Sequence, residues 1–419
     1  VGVNDLADNV QAAVTGGRTI SSGGATSVSA KSDSNFSARG AGDAVDPNTK
    51  VGVAVGVGIS ISDNTTSAAL ADGTVICLDA TGTTRWAHAF DTPAGGFKVI
   101  VASNLTPSRG LEILAGFDDG WLNCLSFDGR LLWRFFGDRS RVGGIAVGCA
   151  DGDNVPEILH GTDNGHVYCL DNFGHVQWRY TEQAPYGRSG PNLAITQPGG
   201  APGVFITRSN VGNATCLMAL DAPDGAFRWR TSDAMQGYFS NAFADFDGDG
   251  SLEILHADKG NNLYCENADG TRRWQAELGG HGIFWAPAVA DIDGDGALEV
   301  IVGVRGTDPK TGACAYVVGT DGTVKSSLKL GGGSNAAPAV GDIDGDGELE
   351  AIFAVENPNQ LLAMTWRGKG RVAWPSLRGN SRMTANANVP QGGASEPGVG
   401  SAPHALASLR PIGNMTVDM

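Results

Sequence analysis

A glycine followed four residues later by a tryptophan recurs along this chain at nearly even spacing. The five copies read GTTRW, GRLLW, GHVQW, GAFRW and GTRRW, and they end at Trp86, Trp133, Trp178, Trp229 and Trp274. A sixth copy, GTVKS, has Ser326 in the tryptophan position, and a last unit ends at Trp374. Self-similarity at a fixed period of roughly 45 to 50 residues indicates a repeat architecture, so we expect seven copies of one structural unit.

Each unit reads as four short strands separated by turns. The segment AFADFDGDGSLEILHADKGNNLYCENADGTRRWQAEL alternates apolar runs with Gly, Asp and Asn, which favour turns. Such a unit, repeated at this period, is typical of a β-propeller. We therefore predict an all-β fold, a seven-bladed β-propeller with four-stranded antiparallel blades. The predicted blades are 51–92, 97–138, 142–184, 188–234, 238–280, 284–332 and 335–377.

The two ends of the chain differ from the repeats in composition. Residues 1–50 and 378–419 are rich in Gly, Ser and Ala and have few large apolar side chains, so they cannot bury a core alone. We expect a low-complexity or strand-rich N-terminal extension at 1–50, the propeller at 51–377, and a C-terminal tail at 378–419.

Three loops concentrate carboxylates between the first and second strands of blades five, six and seven. They read DFDGDGSLE, DIDGDGALE and DIDGDGELE, with aspartates at positions 1, 3 and 5, glycine at 6 and glutamate at 9. Loops of this kind curl around a hard cation, and calcium fits the oxygen ligands best. Position 7 would contribute its backbone carbonyl. The predicted ligands, for about three calcium ions, are Asp245, Asp247, Asp249, Ser251 and Glu253; Asp291, Asp293, Asp295, Ala297 and Glu299; and Asp342, Asp344, Asp346, Glu348 and Glu350.

The loops have two other possible interpretations. An EF-hand needs a glutamate at position 12, where the loops have His256, Val302 and Phe353, and it needs flanking helices. The loops could also be plain turns with solvated charges. Without a cation, four like charges within one short loop repel one another and disfavour the compact state. Calcium would therefore act first as a structural ion.

Two further units carry altered copies of the acidic loop. One has Cys149, Asp151 and Asp153 at positions 1, 3 and 5, ahead of Glu157. The other has Asn104, Thr106 and Ser108 ahead of Glu112. Only the copy with Cys149 keeps enough ligands to bind a metal, and we expect it to bind weakly.

The acidic loops resemble the FG-GAP or VCBS family of calcium-binding propeller repeats. The strand and turn before each tryptophan, as in VICLDATGTTRW, are also similar to the PQQ-like propeller repeats of quinoproteins and outer-membrane scaffolds. The second resemblance implies that each tryptophan docks one blade on the next. The first implies calcium binding and an extracellular, cell-surface or periplasmic location.

Four cysteines occupy one position of the repeat: Cys77, Cys124, Cys169 and Cys265 each lie five residues before the turn glycine. Equivalent positions on adjacent blades are further apart than the roughly 7 Å between Cα atoms that a disulfide tolerates. We therefore predict four buried, reduced thiols.

Charge and hydropathy restrict the partners. The chain has 45 acidic and 29 basic residues, a formal charge of -16, so it would repel the phosphates of a nucleic acid. No apolar run of about 18 residues is present, so we expect no membrane insertion.

The sequence favours a binding or adhesion module for a protein or a glycan and leaves catalysis open. The loops that lead from one blade to the next carry aromatic and cationic side chains suited to a sugar or an anionic polymer. The candidates are Arg141, Tyr186, Arg188, Tyr238, His281 and Trp285. No GxSxG elbow, HExxH helix or P-loop occurs. Two alternatives remain: a polysaccharide lyase that uses His281, Tyr238 and Arg188, and a structural segment of a long bacterial surface protein.

Overall fold

Strands and turns make up the part of the chain that the computed structural model describes. It comprises residues 4–6, 9–11, 57–61, 66–71, 73–79, 83–90, 99–106, 110–181, 189–194, 202–208, 217–231, 241–283, 285–308, 312–334, 336–343, 346–356, 360–366 and 368–374. None of these residues is helical, and so none forms a helix that could cross a bilayer. The predicted C-terminal tail and most of the N-terminal extension lie outside this part.

Five sheets have four antiparallel strands in chain order. Sheet 1 contains β3 (Val57–Ile61), β4 (Thr66–Ala71), β5 (Thr74–Asp79) and β6 (Thr84–Ala89). Sheet 2 contains β7 (Val99–Ser103), β8 (Glu112–Gly116), β9 (Trp121–Leu125) and β10 (Leu131–Phe136). Sheet 3 contains β11 (Val142–Gly148), β12 (Glu157–Thr162), β13 (His166–Leu170) and β14 (Val176–Thr181).

Sheets 4 and 5 follow the same plan. Sheet 4 contains β15 (Ser189–Ala194), β16 (Gly203–Arg208), β17 (Leu217–Asp221) and β18 (Phe227–Arg230). Sheet 5 contains β19 (Ala242–Ala244), β20 (Glu253–Ala257), β21 (Asn262–Glu266) and β22 (Arg272–Glu277). A separate hairpin near the start of the chain pairs β1 (Asn4–Leu6) with β2 (Asn9–Gln11).

The last two sheets have five and three strands. Sheet 6 contains β23 (Ala288–Ala290), β24 (Glu299–Gly303), β25 (Ala315–Val318) and β26 (Val324–Leu328), and β30 (Val372–Trp374) is added beside β23. Sheet 7 contains β27 (Ala339–Gly341), β28 (Leu349–Val355) and β29 (Gln360–Trp366). The all-β fold and the four-stranded antiparallel sheets are confirmed, whereas the count of seven blades stays a prediction.

Burial follows the order of strands within a sheet. Every residue of β8, β12 and β24 is buried, whereas β10 and β14 alternate exposed and half-buried positions. The inner strands are therefore covered on both faces by neighbouring sheets. First strands touch between sheets 1 and 2, 2 and 3, 3 and 4, 5 and 6, and 6 and 7. The core thus lies between successive sheets.

The repeated tryptophan joins each sheet to the next. The indole N–H groups of Trp86, Trp133, Trp178, Trp229 and Trp274 donate to the carbonyl oxygens of Phe127, Asn172, Ala222, Ala268 and Thr320, over 2.7 to 3.1 Å. Each acceptor lies in the turn before the fourth strand of the following sheet. The structure thus has the blade-to-blade docking that the PQQ-like resemblance implied.

The glycine of the same turn explains why this joint is so regular. In sheet 3, Gly174 has a positive φ of 85°, and a Cβ there would lie 2.7 Å from the Trp133 ring. A side chain would therefore meet backbone strain and a steric clash together. In the structure, the turn glycine of one unit therefore lies under the indole of the preceding unit, and both residues of the repeat serve the contact between sheets.

The last two units depart from this pattern. Ser326 replaces the tryptophan, and the fourth strand predicted to end at Trp374 is β30, which pairs with β23 of sheet 6 (Val289 opposite Trp374). Trp374 is buried against Phe243, with ring centroids 5.5 Å apart. Two glycines allow β30 to pair with sheet 6. Gly368 and Gly370 lie against the backbone of the Asp291–Asp295 turn, where any Cβ would collide.

The four repeated cysteines are buried free thiols that form no disulfide within the described residues, as predicted. Burial raises the pKa of the Cys124, Cys169 and Cys265 thiols far above the ordinary range, because a thiolate there would lose its hydration. They therefore act as small apolar groups of the core.

Candidate metal centres

The acidic loops connect the first and second strands of their sheets. We call them loop 5 (245–253), loop 6 (291–299) and loop 7 (342–350), and the altered copies loop 2 (104–112) and loop 3 (149–157). In every one, the buried glutamate at position 9 accepts the N–H of position 2 across the loop, over 2.6 to 3.0 Å. This shared bond fixes the glutamate carboxylate at the base of each loop.

Carboxylates at positions 1 and 5 shape the rim. In loop 5 the Asp245 side chain accepts the Gly248 and Gly250 N–H groups at 2.7 and 3.0 Å. The position 5 carboxylate accepts the N–H of position 7 in loops 5, 6 and 7, over 2.6 to 2.8 Å. Position 7, predicted to supply a carbonyl ligand, is thus tied to the rim at Ser251, Ala297 and Glu348.

Loop 6 shows the donor set of a hard cation most plainly. One oxygen each of Asp291, Asp293 and Asp295 lies within 4.8 Å of the others. Asp291 is almost wholly buried, and its Oδ1 has no hydrogen-bond partner among the described residues. A buried carboxylate oxygen without a partner calls for an ion or a water molecule. The residues of loop 6 therefore fit a divalent cation that prefers oxygen ligands.

Loop 5 groups a different trio. Oxygens of Asp245, Asp247 and Glu253 lie within 4.8 Å of one another, while Asp249 is exposed on the rim. In loop 7, Asp342, Asp346, Glu348 and Glu350 are described, and Asp344 lies outside the described residues. Among the three intact acidic loops, loops 5 and 6 are thus the two in which the described residues form a cluster.

Basic side chains from the fourth strand reach into both clusters. The Arg273 guanidinium is 2.8 Å from Asp247 Oδ2 and 3.3 Å from Glu253 Oε1. Lys325 Nζ lies 2.7 Å from Glu299 Oε1 and 3.5 Å from Asp295 Oδ2. Neither residue is among the ligands predicted from the sequence. Their common position, directly before the repeated tryptophan or its serine replacement, would have pointed to them.

These contacts and burial shift the pKa values of carboxyl groups in the loops. The hydrogen bond from Arg273 lowers the pKa of the exposed Asp247. Burial raises the pKa of Glu253 and Glu299, and the neighbouring basic groups oppose that rise. In loop 3, burial raises the pKa of Glu157 to about 7, and the nearby Asp151 and Asp153 charges add to it. A cation in any of these loops would favour the ionised carboxylates.

The segment between β29 and β30 lies over loops 6 and 7. The Asp291 N–H donates to the Arg371 carbonyl at 2.9 Å, and Lys369 passes so close to loop 7 that a Cβ at Gly347 would lie 3.2 Å from its Nζ. The most acidic stretch of the chain is thus covered by a basic one.

The predicted ligand-binding side chains belong to the opposite end of the sheets, where one sheet leads to the next. The Arg141 guanidinium contacts Asp118 at 2.6 Å and Asp163 at 3.6 Å, so it bridges sheets 2 and 3. His281 is exposed, with its N–H bonded to the Arg305 carbonyl, and Trp285 is half-buried. Tyr186, Arg188 and Tyr238 lie outside the described residues.

Comparison with known proteins supports the repeat and the fold. Residues 245–302, which contain loops 5 and 6, match the family model of the FG-GAP-like repeat. No protein with curated annotation matches the sequence. The chain therefore carries an FG-GAP-like repeat, as the acidic loops indicated.

Solved structures share the architecture at low identity. Sqt1 of Saccharomyces cerevisiae is 12% identical over 72% of this chain and 82% of its own, with a TM-score of 0.55. The Dos1 propeller is 10% identical over 74% of each chain, with a TM-score of 0.51. A Bacillus licheniformis rhamnogalacturonan lyase is 17% identical over 74% of this chain and 66% of its own, but its TM-score of 0.49 carries no argument. These likenesses show the β-propeller fold alone.

Proposed function

We propose that this chain is a calcium-stabilised β-propeller that serves as an extracellular or cell-surface binding module for a protein or a glycan. The observation that supports it best is the cluster in loop 6, where three aspartates converge around a buried, unpartnered oxygen of Asp291. Carboxylate and carbonyl oxygens in a flexible loop are the ligands that calcium prefers.

Calcium would supply charge neutralisation. Asp291, Asp293, Asp295 and Glu299 would hold the ion in loop 6 with the Ala297 carbonyl. The corresponding residues of loops 5 and 7 would do the same, at Asp245, Asp247, Asp249, Ser251 and Glu253 and at Asp342, Asp344, Asp346, Glu348 and Glu350. Each loop concentrates more negative charge than one lysine or arginine offsets, so an ion stabilises the folded chain.

The contacts made by Arg273 and Lys325 support an extracellular setting. An entering calcium ion must compete with a basic side chain that already contacts the carboxylates. Competition weakens binding, and weak calcium sites suit extracellular modules, whose dissociation constants reach about 10⁻⁴ to 10⁻³ M. The proposed location rests on this argument and on the kind of repeat.

Binding would use the end of the propeller opposite the acidic loops. Antiparallel strands place the connection between the first two strands at one end and the passage to the next sheet at the other. Ions in loops 5 to 7 would thus hold the sheets without occupying the end that carries Arg141, His281 and Trp285. Asp118 and Asp163 orient Arg141, so a ligand would meet a preset guanidinium whose charge the two carboxylates offset.

Thermal unfolding with calcium, with magnesium and with EGTA tests the structural part. We expect calcium to raise the melting temperature well above the EGTA value, magnesium to raise it less, and calorimetry to count about three ions. Asp293→Asn should remove one ion. The same melting temperature in calcium and in EGTA would refute the proposal.

A glycan array probed in calcium tests the binding part. We expect at least one class of bound glycan, lost in a double Arg141→Ala, His281→Ala variant that keeps the calcium-dependent melting temperature. Binding that survives this variant would place the ligand elsewhere.

A further inference from the structure

The crossing segment, residues 368–371, leads from sheet 7 to β30 and packs against loop 6. The Asp291 N–H donates to the Arg371 carbonyl at 2.9 Å. A Cβ at Gly370 would lie 2.9 Å from the carboxyl carbon of Asp291 and would collide with the Asp291 carbonyl oxygen. The crossing segment and loop 6 therefore touch backbone to backbone, with no side chain between them.

Asp291 takes part in two interactions at once. Its backbone N–H bonds the crossing segment, and its side chain is one of the three carboxylates that converge in loop 6. The residue is only 6% exposed, and its Oδ1 has no hydrogen-bond partner among the described residues. Because Gly370 lies against this carboxyl group, docking of the crossing segment removes the carboxylate from water. That burial costs free energy unless an ion pairs with the carboxylate.

Loop 5 provides a comparison, because no described residue covers the same position. Gly248 and Gly294 are the fourth residues of loops 5 and 6. A Cβ at Gly248 would meet no atom within 4 Å, whereas one at Gly294 would lie 2.8 Å from the Lys369 backbone nitrogen. In loop 5 the Gly248 N–H donates to Asp245 Oδ1 at 2.7 Å, but the equivalent oxygen of Asp291 has no such donor. The covered loop is thus the one with the unpaired buried oxygen.

β30 is too short to hold its own position. It has three residues, and its pairing with β23 consists of Val289 opposite Trp374 and Ala290 opposite Val372. Trp374 is buried against Phe243 of β19, but its indole N–H has no hydrogen-bond partner among the described residues. A strand pairing of this length is marginal by itself, and a buried unpaired N–H offsets part of the gain from packing. The contacts with loop 6 are therefore needed to keep β30 on β23.

We propose that calcium binding in loop 6 and the pairing of β30 with β23 are coupled, so that each strengthens the other. The proposal rests on calcium binding by loop 6, which is part of the proposed function. An ion neutralises Asp291 while the crossing segment covers it, and the two effects must be equal in size. β30 runs antiparallel to β23, away from loop 6 and toward the end that carries His281 and Trp285. An ion at one end of the sheets thus fixes a strand that leads to the other end.

Hydrogen exchange read by mass spectrometry tests the coupling in the full chain, on peptides that cover residues 368–374. We expect exchange there to be roughly 5- to 150-fold faster in EGTA than in calcium, the usual range for two coupled sites. Peptides from β13, in sheet 3, should change little and show that the chain stays folded. If calcium raises the melting temperature but leaves exchange at 368–374 unchanged, this inference is wrong and the proposed function stands. If calcium changes neither, both are wrong.

Two isosteric variants assign the effect to loop 6. Asp293→Asn removes one carboxylate from loop 6, so in calcium its residues 368–374 should exchange as fast as those of the native chain in EGTA. Asp247→Asn makes the same change at the same position of loop 5 and should keep the protection. Equal loss of protection in both variants would overturn the proposal, because it would show a general loss of stability rather than an effect of loop 6.

The coupling also predicts the reverse effect. Gly370→Ala pushes the crossing segment away from Asp291, so calorimetry should show at least one calcium ion bound more weakly, by the same factor as the change in exchange. A calcium-dependent rise in melting temperature shows that this variant folds. Unchanged affinity at every calcium site of the folded variant would contradict the coupling.

Discussion

His160, in β12, is a fully buried histidine that makes no hydrogen bond with either ring nitrogen among the described residues. Its ring stacks on Tyr168 and meets the edge of Phe135, with centroids 5.8 Å away in both cases. The equivalent His256 in sheet 5 is bonded to Glu266 at 2.9 Å, but leucine replaces that glutamate in sheet 3. His160 is therefore packed as a neutral ring.

Burial lowers the pKa of His160 from 6.5 to about 4, and the Asp138 charge opposes this only in part. The unfolded chain thus binds a proton at higher pH than the folded chain, and stability falls as the pH drops below 6.5. Between about pH 7.5 and about pH 5.5 we expect a loss of about 1.3 kcal/mol from this residue. Urea unfolding of the native chain and of His160→Leu measures it, since the variant lacks the titrating ring. An identical decline in both would contradict the assignment.

At the scale of the element, the tryptophan contact between successive sheets is the stabilising interaction that repeats. Trp274 is nearly buried, and its indole N–H donates to the Thr320 carbonyl at 2.7 Å. We expect Trp274→Ala to lower the free energy of unfolding by about 3 to 5 kcal/mol, because it leaves a cavity. Trp274→Phe keeps most of the packing, and its lost hydrogen bond should cost about 1 kcal/mol. Equal effects in denaturant titrations would show that the hydrogen bond, not packing, holds the joint.

The position of β30 is the second feature at this scale. A Cβ at Gly370 would lie 1.5 Å from the Asp291 carbonyl oxygen, so Gly370→Ala should displace β30 from β23. The Asp291 N–H, which donates to Arg371, would then exchange faster with deuterated solvent. Hydrogen exchange read by mass spectrometry on the peptide around residue 291 measures this. Gly341→Ala is the matched control, since a Cβ there meets no atom within 4 Å. Unchanged protection in Gly370→Ala would contradict the described pairing.

What the sequence predicted at this scale depended on local pattern. Strands, turns and the tryptophan joints repeat, so alignment of the units found them. The segment ending at Trp374 resembles the other fourth strands, yet it pairs with sheet 6, because strand partners depend on long-range contacts such as those of Gly370 and Phe243. The acidic loops could be predicted for the same reason as the tryptophan contacts, because they also repeat from unit to unit. The basic partners Arg273 and Lys325 were not predicted, since the carboxylates they contact lie twenty or more residues away in the sequence.

For the whole molecule, the distribution of charge matters more than its sum. The formal charge is -16, and loops 5 to 7 together with loop 3 hold much of it in a few small volumes. Salt weakens such repulsion, because the Debye screening length is about 10 Å at 0.1 M ionic strength and shorter at higher concentrations. In EGTA we expect the melting temperature to rise between about 0.05 and about 0.5 M sodium chloride, and to rise much less in calcium. Scanning calorimetry in both media tests this, and equal salt dependence would show that the loops are not the source.

The five tryptophan hydrogen bonds all run in the same direction along the chain. In each, the indole N–H of one sheet, from sheet 1 to sheet 5, donates to a carbonyl oxygen of the sheet that follows. Any of these donors would match any of these acceptors. Deletion or duplication of one internal unit would therefore still leave an indole donor facing a turn carbonyl at the new junction. The pattern ends at Ser326, which has no indole; sheet 7 follows with three strands, and β30 then returns to pair with β23 of sheet 6.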